Sequence, residues 1–377
     1  MRVREQDGNE ALPWWETKTV EVTMEGLRFG RRIVLWGGMI VAFGAIVLLL
    51  GALTLFHLGY RPEASESIKV EPREWASPQS MEMTTESVRI LSLNFNHGAG
   101  PEHRAVEQGD TAPVAAGAVK ERVDRLAQLV LDERVDVVVL QGVDFESEYS
   151  GSLDQVEYLA SKLKWGYVIK ARSWRHPYLP FPEPLDGKII GKVDMGLAIV
   201  SRFALFNTER FSLPRETLDD WWKTTFAPNY CLLKTELTLG GKKLFVYNTE
   251  LTAGAQSDRE RQAREVAAII SQTSNGRGLL AGTFWAEPKV KGMKPKEGHA
   301  DCTLDLIRHR MNFNSLYKDW EVGKDRQAFV TFTDRSGAAR VVDYVVPERK
   351  LEVHRWQRLE VDPPISAHTP ILVEVLP

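Results

Sequence analysis

Cysteine is nearly absent from this chain: Cys231 and Cys302 are the only two among 377 residues, far apart and without a C-x-x-C spacing. A thiolate zinc site and a disulfide-stapled scaffold are thereby excluded. Both thiols are read as small buried side chains, with a pairing between them left open. An excess of charge is missing too. Lys and Arg number 48 against 51 Asp and Glu, a net of −3, so no basic surface argues for wrapping nucleic acid. No internal repeat is evident, which sets aside solenoids and propellers. What the chain has is 43% hydrophobic residues, enough for one large or two medium cores.

Long apolar runs are also rare, and the one present decides the organisation. Residues 33–58, IVLWGGMIVAFGAIVLLLGALTLFHL, contain a single ionisable residue, His57, at the far end. A helix of this length covers the roughly 30 Å hydrocarbon core of a bilayer. A cleaved signal peptide fits poorly, because 32 residues precede the run and no A-x-A site follows it. A buried soluble helix fits less well, since the run is apolar on every face. It reads as a signal anchor. Arg28, Arg31 and Arg32 precede the span, whereas Arg61 alone follows closely, ahead of Glu63 and Glu66. The positive-inside rule then predicts a cytoplasmic segment 1–32 and an extracytoplasmic C-terminal domain. Residues 59–86, rich in Pro, Ser and Glu, are predicted to be a linker holding that domain off the membrane.

From residue 87 onward, strands alternate with amphipathic helices. Strand patterns occur at 88–95, 135–143, 195–201, 231–239, 243–251, 277–284, 339–346 and 370–376. In 231–239, Cys231, Leu233, Leu237 and Leu239 fall on one face and Lys234, Glu236 and Thr238 on the other, as in a half-covered sheet. Helical spacing of apolar residues appears over 118–133, 154–163 and 258–271, the last opened by a Ser257/Glu260 capping box. Helices interspersed with this many strands predict sheets covered by helices.

Eight short motifs sit at the edges of these strands: LSLNFNHGAG (91–100), VVVLQGVD (137–144), GLAIVSR (196–202), VYNTELTAG (246–254), DRERQAREV (258–266), LLAGTFWAEP (279–288), VVDYVV (341–346) and ISAHTPILVEV (365–375). In content and order they resemble the endonuclease/exonuclease/phosphatase family over residues 87–377. That resemblance implies an α/β fold, a four-layer α/β/β/α sandwich with its site at one end of the paired sheets, here preceded by one transmembrane helix.

The family hydrolyses phosphoesters by in-line attack of water, with a Mg²⁺ ion stabilising charge on the phosphoryl group. Against its motifs, this sequence keeps three site residues and replaces five. Asn94 matches the family asparagine on the first strand, and Asp343 and His368 match a carboxylate–imidazole pair. Gly142 stands where the family's LQE motif places the metal carboxylate. Thr283 and Trp285 replace the Asp and Asn of its GDFN motif, Glu250 replaces the His of NTHL, and Ala367 the Asp of SDH. A carboxylate facing a phosphate at 4 Å is unfavourable by roughly 4 kcal/mol at an effective dielectric near 20. Asp144, Glu146 and Glu148 follow the missing carboxylate and Glu250 is itself one, but one-residue shifts on a strand point to the other face, and Glu146 and Glu148 read as solvated loop residues rather than a rebuilt metal site.

The expectation is therefore a membrane-anchored pseudoenzyme of this fold, binding no metal or other cofactor and acting as a binding or scaffold module for a protein or lipid partner. The alternative is an active phosphoesterase with a rearranged site, which would use Mg²⁺. Two aromatic-rich stretches complete the candidates: Trp174, His176 and Tyr178 within 173–192, and Trp221 and Trp222 within 215–230. They either grip a ligand at the rim or pin long loops onto the sandwich.

Overall fold

A computed structural model of the chain describes residues 14–75, 87–101, 113–179, 191–218, 224, 226–289, 301–313, 316–333 and 336–376. It divides into two compact units, Met1–Leu58 and Gly59–Pro377. The first is carried by helix α1 (Trp14–Leu58). Its stretch Arg31–Thr54 has a mean hydropathy of 2.6 and no buried side chain, long and apolar enough to cross a membrane. The helix starts well before residue 33, where the apolar run begins.

The second unit is built on two six-stranded sheets. One has the order β13 (Val353–Arg358), β14 (Ile371–Val375), β2 (Val88–Asn94), β3 (Val137–Asp144), β5 (Gly191–Ser201) and β4 (Tyr167–Leu179). The other runs β1 (Ser65–Ser67), β6 (Phe206–Ser212), β7 (Cys231–Leu239), β8 (Lys242–Glu250), β9 (Gly278–Thr283) and β12 (Asp343–Pro347). Pairs β2–β3 and β8–β9 are parallel, and the other neighbours antiparallel. A separate two-stranded ribbon joins β10 (Phe332–Thr333) to β11 (Ala339–Arg340).

Alternation along the strands makes the layers. Ile90, Val137, Val139 and Ile199 meet Leu233, Val246 and Leu279 in the core between the sheets, while Leu91, Val138 and Val200 face outward. That outer face is covered by α2 (Ala116–Asp132) through Val123, Leu126 and Val130, and by α3 (Gln155–Leu163) through Val156, Leu159 and Ala160. Across the sandwich, α4 (Gln256–Thr273) covers the second sheet with Ala263, Val266 and Ile270. Two short helices, α5 (Thr303–Arg308) and α6 (Asp319–Lys324), follow. The result is the four-layer α/β/β/α sandwich.

Three local expectations change. The polar face of β7 is covered as well: Lys234 and Glu236 are buried, paired with Glu209 at 3.0 Å and Lys243 at 2.9 Å. Helix α4 is not opened by a Ser257/Glu260 box. Its N-cap is Ala255, and the Glu260 carboxylate accepts instead from Gln256 Nε2 and the Cys302 backbone N–H. The two cysteines form no disulfide with each other, and Cys231 is buried but Cys302 exposed.

The largest difference concerns the predicted linker. Its described part, residues 59–75, lies along the domain as a strap. Tyr60 N–H donates to Arg175 O, β1 pairs with the edge strand β6, and Ile68 N–H donates to Thr208 O. Arg73 then clamps Glu157 through Nε (3.0 Å) and Nη2 (2.5 Å), and Trp75 Nε1 donates to Trp165 O. The low hydrophobicity that suggested a free chain is offset by backbone pairing and charged hydrogen bonds, which leave no apolar periodicity to read.

Candidate active-site cleft

Parallel pairing brings the C-terminal ends of β2, β3, β8 and β9 to one end of the sandwich. Asn94 lies opposite Gln141, and Glu250 opposite Thr283, which in turn faces Asp343 across β9–β12. The two sheets are clasped there by a buried amide pair. Gln141 Nε2 donates to Asn248 Oδ1 at 2.7 Å, and Asn248 Nδ2 donates to Leu140 O and Ala198 O. Neither amide was singled out from the sequence, though both lie inside the LQG and NTE motifs.

Above this clasp runs one connected network. The Asn94 carboxamide donates through Nδ2 to Glu250 Oε1 (2.9 Å) and Thr283 Oγ1 (3.0 Å), while its Oδ1 accepts from Asn96 N–H. The Thr283 hydroxyl donates to Asp343 Oδ1 at 2.6 Å, and Asp343 Oδ2 accepts from His368 Nδ1 at 2.8 Å. Thr331 Oγ1 receives the Val342 and Asp343 N–H groups, and Ser366 Oγ bridges the Asn94 carbonyl and the His368 N–H. Asn94, Thr283, Asp343 and His368 are all buried.

Trp285 forms one wall. Its φ of +52° is rare for a non-glycine residue, and its indole packs edge-on to His368 (5.5 Å between ring centroids) and Phe332 (5.2 Å). Phe332 also bridges in β fashion to His368, and its ring lies 4.7 Å from the imidazole. The ring of His368 is thus held between two aromatics. Thr333 N–H donates to Ala367 O on the same loop. Behind the wall, Tyr344 Oη donates to Ala286 O and Tyr317 Oη to Asp343 O. Burial pushes both phenols well above their usual range, so they remain donors. A cleft of about 530 Å³ opens beside His368, lined among others by Pro101, Thr333, Leu359, Pro364 and Ala367.

All eight positions expected from the motifs therefore meet at this end: Asn94, Gly142, Glu250, Thr283, Trp285, Asp343, Ala367 and His368. The acidic residues at and beyond the end of β3 do not join them. Asp144 is fully buried, held by His97 Nδ1 at 2.9 Å and Ser147 Oγ at 3.0 Å, whereas Glu146 is exposed and paired with Lys192. The aromatic stretch beginning at 173 continues β4 rather than forming a loop. Trp174 and His176 are buried, Trp174 Nε1 donating to Phe226 O and His176 packing 4.9 Å from the Phe226 ring, so both pin the neighbouring segment. Tyr178 alone is exposed. Trp221 and Trp222 lie outside the described residues.

The family's Mg²⁺ demands several hard oxygen ligands in near-octahedral array. Both Asp343 oxygens are engaged, Asn94 Oδ1 is taken by a backbone N–H, and Gly142 offers no side chain. Among the described residues, no three His, Cys, Asp or Glu side chains are grouped to hold a metal.

Among solved structures, an endonuclease/exonuclease/phosphatase from Beutenbergia cavernae DSM 12333 is similar, with a TM-score of 0.57 and 19% identity over 78% of this chain and 72% of that one. A family protein from Leptotrichia buccalis C-1013-b is similar at a TM-score of 0.50 and 14% identity, covering 76% of this chain and 99% of that one. These likenesses are of fold. No curated protein matches the sequence significantly. Residues 91–368 match the Endonuclease/Exonuclease/phosphatase family, and with that match spanning the motifs and the sandwich they build, the chain belongs to this family.

Proposed function

We propose that the protein is a membrane-anchored binding module that keeps the family fold without its phosphoester hydrolysis. One observation carries this reading: Glu250, Asn94, Thr283, Asp343 and His368 are joined in one chain of hydrogen bonds. In it the Asn94 amide and both Asp343 oxygens are engaged with neighbouring side chains and backbone rather than turned to a metal or a phosphate. Hydrolysis needs donors aimed at the charge that develops in the transition state, and here a carboxylate, Glu250, stands among them. Arg28, Arg31 and Arg32 before the apolar helix support a cytoplasmic N-terminus and an extracytoplasmic domain.

The test uses the full chain in detergent. Calorimetric titration with Mg²⁺ or Mn²⁺ is expected to give no saturable site, and turnover of bis-p-nitrophenyl phosphate, single-stranded DNA and phospholipid no excess over His368→Ala. Metal-dependent hydrolysis abolished by His368→Ala would establish an active enzyme with a rearranged site instead.

A further inference from the structure

Positive charge collects at the end of the sandwich away from the cleft. Strand β12 pairs with β9 from Asp343 opposite Thr283, at the cleft, to Pro347 opposite Leu279 at the far end. Beyond Pro347 the chain turns through residues 348–352 before β13, and three segments are tied together there. Glu348 N–H donates to Gly278 O and Lys350 N–H to Gly276 O, while Met311 bridges to Glu348 and Asn312 N–H donates to Pro347 O. This pairing gathers Arg277, Arg310, Arg349 and Lys350 around one turn, the last three exposed.

Among the described residues no carboxylate forms an ion pair with any of the four. Arg310 Nε donates to Ser271 Oγ and Lys350 Nζ to Asn275 O, both neutral oxygens. Arg277 Nε is buried without a hydrogen-bond partner, a donor that an incoming acceptor would satisfy. The carboxylate at the centre, Glu348, is buried and accepts from Ser274 Oγ. Burial pushes its carboxyl up, with Arg310 and Lys350 acting against that, so both cations flank it. Across 347–358 the only exposed carboxylate is Glu352.

The chemistry of the patch selects its partner. Three of the four cations are arginines, whose planar fork matches a carboxylate in bidentate fashion. No large apolar side chain is exposed at this turn among the described residues, so a bilayer would find nothing to insert. The net charge of −3 over the whole chain opposes a long polyanion such as nucleic acid, whereas a short acidic segment responds to the local field alone.

We propose that this far-end turn docks an acidic segment of a partner protein, held by Arg277, Arg310, Arg349 and Lys350. The surface lies at the opposite end from the Asn94–His368 site and does not draw on it.

The test follows the fluorescence anisotropy of a fluorescein-labelled Asp/Glu/Ser peptide with the full chain in non-ionic detergent, against an Asn/Gln/Ser counterpart. Saturable binding of the acidic peptide alone is expected, weakening as salt is raised. Arg310→Gln/Arg349→Gln/Lys350→Gln should weaken it by roughly tenfold. Removing three exposed cations of the helical layers, Lys120→Gln/Lys164→Gln/Arg264→Gln, should leave it unchanged, as should His368→Ala. Arg349→Glu, whose native side chain has no hydrogen bond to lose, should abolish binding without lowering the melting temperature. Equal loss in the two triple variants would reduce the effect to overall charge and overturn the proposal. Absence of saturable peptide binding would overturn it as well. Tighter binding of oligothymidine, or displacement of the peptide by phosphatidylglycerol-doped micelles, each lost with the same three cations, would assign the turn to nucleic acid or lipid instead.

Discussion

Asn94 and Gly142 are fitted to each other: a Cβ on Gly142 would stand 2.7 Å from Asn94 Oδ1 and 3.3 Å from the Asn96 nitrogen. The glycine has φ +56°, in the left-handed region, and the β3–β5 register shifts between Leu140 and Val143 around it. A side chain at 142 would thus meet both an unfavourable backbone and the Asn94 carboxamide.

Gly142→Ala is accordingly expected to lower stability by about 1–2 kcal/mol from the backbone term alone. Gly142→Glu should lower it further, because Asn94 must move and its bonds to Glu250 and Thr283 break. Denaturant unfolding of the full chain in detergent measures both. Equal or greater stability of Gly142→Glu would show that β3 adapts freely, and that the bulge is no barrier to restoring a metal ligand.

Much of this arrangement was legible beforehand. The apolar alternation of β2, β3, β5, β8 and β9 and the motifs at their ends located the site, since strand ends fix side chains by register alone. The bulge at Gly142 was not, because glycine reads equally as a lost side chain or a turn. β4, β6 and β13 escaped for another reason: stretches such as KARSWRH and VHRWQR mix charge with aromatics and cover edges rather than the core. The strap escaped because its hold is backbone pairing and ion pairs, which leave no hydrophobic period.

That strap is testable by truncation. A fragment starting at residue 87 is expected to melt below one starting at 59. Arg73→Ala in the longer fragment should account for only part of the difference, about 1 kcal/mol for a half-exposed bidentate pair. Identical melting of the two fragments would mean that residues 60–75 lie on the domain without stabilising it.

The clamp also has a pH signature. Burial pushes the Glu157 carboxyl up, but its hydrogen bonds to Arg73 and Lys170 outweigh this and hold it below the usual range. A carboxyl depressed in the folded state stabilises above its unfolded value and ceases to do so as pH falls through the folded one. The strap's contribution is therefore expected to be constant at neutral pH and to fade below about pH 4.5. Glu157→Gln should flatten that acid limb, read as the melting difference between fragments starting at 59 and 76.

The pair Asp343–His368 separates structural from catalytic retention. Both groups are buried with each other as partner. His368→Ala is expected to lower stability by about 1–3 kcal/mol, since it leaves a buried carboxylate oxygen without its donor. Asp343→Asn should be milder, because its amide oxygen still accepts from one neighbour. A His368→Ala variant of unchanged stability would show that the imidazole is held by the aromatic rings rather than by the carboxylate.

Thr283 offers the sharpest reading of the network, because its hydroxyl links the Asn94 amide to the Asp343 carboxylate. It receives from Asn94 Nδ2 and donates to Asp343 Oδ1 at 2.6 Å. Thr283→Asp, which restores the family residue, replaces that donor with a second carboxylate against Asp343. Two charges about 4 Å apart repel by roughly 4 kcal/mol at an effective dielectric near 20, an upper figure for a site open to water. The pair relieves this by keeping a proton, so its folded-state affinity for that proton rises above the unfolded value. Stability conferred by a raised carboxyl is present at low pH and lost as pH increases through the folded value. Thr283→Asp should therefore approach the parent's melting temperature in acid and fall away from it toward pH 7–8, whereas Thr283→Val should show a deficit of constant size. If Mn²⁺ abolished the neutral-pH deficit of Thr283→Asp, the remaining oxygens would be able to ligate a metal, and the proposal of a binding module without hydrolysis would lose its support.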